Sequence, residues 1–185
     1  MEKKKKKIRV YLRALEPEDY AKLHQWRNDE EIGRLFSGTR RFTSTLNEKK
    51  WIEERVFNKE NVSCAVCFNE TDAFIGCIFL YDLDHLNRSG CCSYFIGEKE
   101  LWGRGYATDA MVLILRHAFR DKGLERIWAY VLADNNRSLR MLEKCNYKKE
   151  GLLRRANYVD GEFKDLYVLS ILREEFDELW EQYEL

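Results

Sequence analysis

Between residues 91 and 132 the spacing of apolar residues changes twice. Residues 91–96 read as a strand. Ala107, Ala110, Met111, Ile114, Leu115, Ala118 and Phe119 then fall at i, i+3, i+4, i+7, i+8, i+11 and i+12, the pattern of a helix with one apolar face. Gly123 stops it, and residues 126–132 return to a strand. Strand, helix and strand in that order require a crossover, so the fold contains at least one parallel strand connection.

The remaining chain adds hairpins to this unit. Ile8, Val10, Leu12 and Ala14 alternate with polar or amphipathic residues, as in a half-buried strand. Pro17 opens a helix. Thr45 with Glu48 three residues on predicts the capped start of another. Residues 62–68 and 74–81 read as antiparallel strands about the Asn69-Glu70-Thr71-Asp72 turn. A shorter helix runs from about Asn136 to Cys145, and two further strands flank the hairpin signal Asp160-Gly161. Residues 174–185 read as an acidic amphipathic helix. The order β-α-α-β-β-β-α-β-α-β-β-α, without repeat or linker, predicts one mixed α/β domain. The expected divisions are a disordered, lysine-rich 1–7, the domain at 8–172, and a C-terminal helix at 173–185 packed on the domain or a partner.

Charge and composition exclude several classes. Lys+Arg and Asp+Glu number 32 each, so no net field draws the protein to nucleic acid or anionic membrane, and neither partner is expected. The longest apolar run, Phe74 to Tyr81, is far short of the roughly 20 residues of a membrane helix. No apolar stretch follows Lys3–Lys7 as in an export signal, so the expected compartment is the cytoplasm and the six cysteines are expected as thiols. Cys64 and Cys67 have knuckle spacing but lie on a strand, where they would face opposite sides; no metal site is expected.

Chemistry concentrates at Leu101-Trp102-Gly103-Arg104-Gly105-Tyr106-Ala107-Thr108, between a strand and the strongest helix. A glycine-flanked turn into a helix leaves backbone N–H groups aimed at one point, with the helix dipole behind them. Such a turn suits a phosphate. The Gly-Lys-Ser/Thr of a nucleotide loop is missing, and Thr108 stands where a dinucleotide fingerprint has its third glycine. On spacing alone, phosphate binding and a tight turn built for geometry are equally compatible with the loop.

The run from Tyr94 through Ala110 resembles the acetyl-CoA loop of the GNAT N-acetyltransferase superfamily, in particular its ribosomal-protein N-terminal acetyltransferase-like branch. Asn135 through Gly151 is similar to that branch's Asn-x-x-Ser helix and following strand. Trp26-Arg27-Asn28, and Asp160-Gly161 with Asp165, are weaker matches. The resemblance implies an α/β (α+β) single GNAT-like domain, with a central mixed, mostly antiparallel, twisted sheet of about seven strands flanked by helices. Two parallel neighbours in the middle, residues 91–96 and 126–132, would splay apart to admit the pantetheine arm.

It further implies acetyl-CoA as cosubstrate, without metal. Trp102, Gly103, Arg104, Gly105, Tyr106, Ala107 and Thr108 would surround the pyrophosphate, main chain near Phe95 and Ile96 would pair with the pantetheine, and Asn135 would bond the arm near its sulfur. Ser138 is the candidate proton donor to the leaving thiolate, or else an ordinary helix-start hydroxyl. The family's usual Tyr for that task is Leu142 here, and its usual strand Glu base is Cys91, which reads as a packed thiol. His85 is the candidate catalytic residue among bases that also include Glu30, Glu31, Asp82, Asp84 and Asp165. His24 and His117 read as structural.

The implied reaction is transfer of an acetyl group to a primary amine by direct attack in a ternary complex; the alternative is a CoA-binding sensor or scaffold without catalysis. Trp26, Arg27, Glu30 and Tyr158 are candidate acceptor contacts, in a region that also holds Asp29, Glu31 and Asp160. The acceptor would be a small-molecule amine or a protein N-terminus. Phe176, Trp180 and Tyr183 in the tail are expected as exposed aromatics that dock on the same chain or on a partner, a second copy included.

Overall fold

The computed structural model describes residues 5–35, 42–159 and 161–184. Its frame is a seven-stranded sheet ordered β2-β3-β4-β5-β6-β8-β7. The strands are β2 (Val10–Ala14), β3 (Val62–Phe68), β4 (Phe74–Asp84), β5 (Ser89–Ile96), β6 (Arg126–Leu132), β7 (Lys148–Val159) and β8 (Glu162–Leu172). Neighbours are antiparallel except β5 and β6, which run parallel across the crossover. A two-residue β1 (Lys6–Lys7) pairs parallel with β9 (Tyr183–Glu184).

Helices cover both faces, which is why β4 is apolar along almost its whole length. Successive β4 side chains go to opposite sides. Ile75, Ile78 and Leu80 join Met111, Ile114 and Leu115 of α4 (Tyr106–Arg116), Leu139 and Leu142 of α5 (Asn136–Lys144), and Phe176 of α6 (Arg173–Trp180). Phe74, Cys77 and Phe79 join Leu23 and Trp26 of α1 (Tyr20–Asn28), Ile32 of α2 (Glu30–Leu35) and Ile52 of α3 (Thr45–Phe57). Cys64 packs toward the first group and Cys67 belongs to the second, as expected of strand residues three apart.

Several boundaries differ from the sequence reading. The cap of α3 is Ser44, whose hydroxyl accepts from the Asn47 amide, so Thr45 is already helical. Helix α2 was not anticipated; Asp29 Oδ1 initiates it by accepting from the Glu31 and Ile32 amides. Helix α4 gives way at His117–Asp121 to a wider π-turn before Gly123, which has φ +68°. The tail helix stops at Trp180, and Tyr183 lies in β9 instead. Its aromatics are not exposed as expected. Phe176 and Tyr183 are buried and Trp180 packs on the same core, so all three dock on their own chain. Lys6 stands over the Tyr183 ring and bonds Gln182, which holds the end of the lysine run in place. Gly161 has φ +85° in the β7–β8 turn; its expected companion Asp160 lies outside the described residues, as do Lys3 and Lys4. No helix among the described residues is long and apolar enough to cross a membrane.

Candidate active site

The site begins where a strand pair ends. The β5–β6 register holds for three pairs, Ser89–Arg126, Gly90–Ile127 and Cys91–Trp128, and stops. Beyond Cys91 the two strands part, and a cleft of about 490 Å³ opens between β5, the 101–108 loop and α5. Tyr94, Phe95 and Ile96 line one wall and Asn135, Arg137, Ser138, Arg140 and Lys144 another. Trp102, Gly103, Gly105, Tyr106, Ala107 and Thr108 close the end, so the two resembling blocks meet across one space.

Gly103 and Gly105 take φ of +76° and +90°, conformations that side-chain-bearing residues rarely adopt. Gly105 is the N-cap of α4, and its carbonyl accepts from the Asp109 amide. The amides just inside the helix have no carbonyl one turn back, so they are left to a ligand or water. A brace from far away in sequence holds this turn. Arg9 donates Nη1–H to the Arg104 carbonyl at 3.0 Å, pairs with the buried Asp109 carboxylate at 2.7 Å, and lies over the Tyr106 ring. Arg9 carries no motif, so only the pairing of β2 into the sheet discloses it.

Helix α5 supplies the opposite wall. Asn135 caps it, its Oδ1 accepting from the Ser138 amide at 3.1 Å. Ser138 Oγ lies 3.0 Å from Tyr94 Oη, a residue that opens the resembling run but was given no role from sequence. Trp102 donates its indole N–H to the Ile96 carbonyl at 2.7 Å, so that carbonyl is already engaged. The Arg137 guanidinium stacks on the Trp102 ring at 4.0 Å. The described lining thus holds three cations and no carboxylate.

Other candidates fall elsewhere. Trp26 is core: 4% exposed, it packs on Phe74 and Phe95. Arg27 pairs with the buried Glu48 and stacks on Trp51. Glu30 begins α2 on the surface, and Tyr158 packs edge-on against Phe163 in the β7–β8 hairpin, outside the cleft lining. His85 sits in the β4–β5 turn, 3.7 Å from Glu60 and mostly exposed, and it does not line the cleft either. Asp84 caps that same turn through Asn87, and Asp165 accepts from the Arg155 amide. Lys99 pairs with both Asp29 and Glu31, so one cation engages two of the three carboxylates in that acidic stretch.

Cys91 stands at the mouth of the splay, fully buried, and burial pushes its thiol up to about 12. A thiol raised this way keeps its proton at neutral pH and is a poor nucleophile. Incubating the protein with acetyl-CoA alone is therefore expected to leave its intact mass unchanged. An acetyl adduct on Cys91 in the spectrum would show a covalent route.

Comparison with known proteins agrees with this geometry. Residues 9–148 match the family model described as acetyltransferase (GNAT) domain. The chain belongs to the GNAT acetyltransferases. The SPbeta prophage-derived uncharacterized N-acetyltransferase YokL of Bacillus subtilis is 30% identical over 167 residues, covering 90% of this chain and 91% of that protein. The spermidine N(1)-acetyltransferase of Vibrio cholerae is 24% identical over 169 residues, covering 89% and 94%. A crystal structure of spermidine N-acetyltransferase from Vibrio cholerae, in complex with CoA and spermine, superposes with TM-score 0.84 at 21% identity, covering 91% of this chain and 98% of that one. Its likeness shows that the two chains share the fold. This GNAT protein is an N-acetyltransferase.

Proposed function

We propose that the enzyme takes its acetyl group from acetyl-CoA and passes it to a primary amine by direct attack, with both substrates bound at once. The observation that carries this is the cleft itself: an oriented helix start and three cations converge on a space that holds no described carboxylate. A ligand with several phosphates fits such a lining, and coenzyme A has them. Main-chain amides of Gly105, Tyr106, Ala107 and Thr108 would hold the diphosphate, with Arg104 beside it. Arg137, Arg140 and Lys144 would add charge along α5, while the arm runs past Phe95 and Ile96 toward Asn135 and Ser138. Direct attack gains chiefly from positioning. The buried Cys91 argues against a covalent route, and because none of the side chains weighed as a base is in the described cleft lining, water is read as taking the proton from the amine.

The acceptor is read as a primary amine, either a small molecule or a protein N-terminus. A spermidine acetyltransferase among the relatives supports the amine class. Thiol release from acetyl-CoA is the test, measured against spermidine, an N-terminal peptide and an amino sugar. Failure of every amine to be acetylated would sink the proposal.

Charge reversal gives a sharper check on the coenzyme. Arg140→Glu with Lys144→Glu is expected to weaken CoA binding by roughly tenfold or more at low salt. The loss should shrink as ionic strength rises, because the pair is exposed and screened. Calorimetry at two salt concentrations reads it.

A further inference from the structure

Ser138 occupies the first turn of α5, where a serine hydroxyl ordinarily competes for backbone amides. That task is already done, since Asn135 Oδ1 accepts from the Ser138 amide. The Ser138 hydroxyl turns instead to β5 and meets the Tyr94 phenol at 3.0 Å, with both residues lining the cleft. In such a pair one oxygen donates and the other accepts, and the acceptor keeps its own O–H for a third group. Phenol is the more acidic partner, so Tyr94 is the natural donor and Ser138 the one whose proton faces onward. Leu142, one turn further along α5, is buried and carries no proton to give.

We propose that Tyr94 and Ser138 form a two-hydroxyl relay that protonates the thiolate leaving the coenzyme. This rests on the coenzyme reading above. In the step, the amine nitrogen bonds to the acetyl carbon and the carbon–sulfur bond breaks, its electron pair going to sulfur. Sulfur takes the Ser138 proton and Ser138 Oγ takes the Tyr94 proton. Water returns a proton to Tyr94 and accepts the one shed by the amine, so protons balance. Burial raises the Tyr94 phenol to about 12, which keeps it protonated and ready at neutral pH. Ser138 would touch the sulfur; Tyr94 acts through it, as a positioning and proton-supplying residue.

The relay has a signature that needs no acceptor. With the product CoA bound, the ultraviolet absorbance of its thiolate is followed against pH. A hydroxyl donor to sulfur lowers the thiol midpoint, and removing it raises the midpoint by about one unit. Tyr94→Phe, which keeps the ring, and Ser138→Ala are each expected to give this shift. The double variant shifts no further than the larger single one, because the two act as a unit. A midpoint unmoved in Ser138→Ala overturns the relay, even if Tyr94→Phe misfolds. A shift in Ser138→Ala without one in folded Tyr94→Phe overturns the part given to Tyr94. Failure of the wild-type protein to bind CoA strikes the coenzyme reading instead, and calorimetry distinguishes the two.

Discussion

Gly105→Val is expected to weaken CoA binding by about two orders of magnitude while the protein stays folded. Gly105 has φ +90° and ψ 1°, and a residue with a Cβ pays roughly 1–2 kcal/mol there, more when β-branched. A Cβ at this position would lie 3.0 Å from Arg9 Nη2. That guanidinium cannot simply swing away, because Asp109, the Arg104 carbonyl and the Tyr106 ring hold it on three sides. Relief comes by turning the backbone toward negative φ, which rotates the first amides of α4 off their common focus. A combined loss near 3 kcal/mol corresponds to about a hundredfold in affinity. Calorimetry measures this directly. Gly151→Ala serves as control, since a Cβ there meets open space. Wild-type affinity in Gly105→Val would show that the coenzyme phosphates sit elsewhere.

Trp26→Ala is expected to cost about 3–5 kcal/mol of stability, the range for emptying a buried aromatic site. The indole packs against Phe74 at 4.9 Å and edge-on to Phe95 at 5.8 Å. It also covers Gly97 so closely that a Cβ there would fall 2.0 Å from the ring. Phe95 lines the cleft, so the loss of Trp26 loosens one wall from behind. Chemical denaturation should show the loss, and in a chain of this size the melting midpoint should fall by roughly 10 °C. A variant with unchanged stability but a raised KM for the amine would restore Trp26 to the list of acceptor contacts.

Trp26 also shows how far a sequence can be read. Beside Arg27 and Asn28 it looked like part of a binding motif, yet large aromatics near motifs are often what the motif packs on. Its burial depends on Gly97, a residue just past the end of β5 whose lack of a side chain admits the ring. Helix α2 escaped notice because its six residues are too few for a period to emerge, although Asp29 ahead of two glutamates is a fair cap signal. The tail reads as continuous helix through Tyr183, but Tyr183 pairs with Lys6 and is drawn into a strand. No local pattern announces that partner. Arg9 and Tyr94 were missed for the same reason: each matters through a residue 100 or 44 positions away.

By itself the sequence determined the alternation of strand and helix, the crossover between residues 91 and 132, and the glycine-bracketed helix start that faces it. Those properties are written within one or two turns of chain, where side-chain period and backbone preference act directly. Tertiary structure decided where the sheet opens, because that depends on a parallel register that runs three pairs and no further. It also decided that the Ser138 hydroxyl looks to Tyr94 rather than to its own helix. Both outcomes are matters of distance between separate elements, and such distances exist only once the two faces of the sheet are packed.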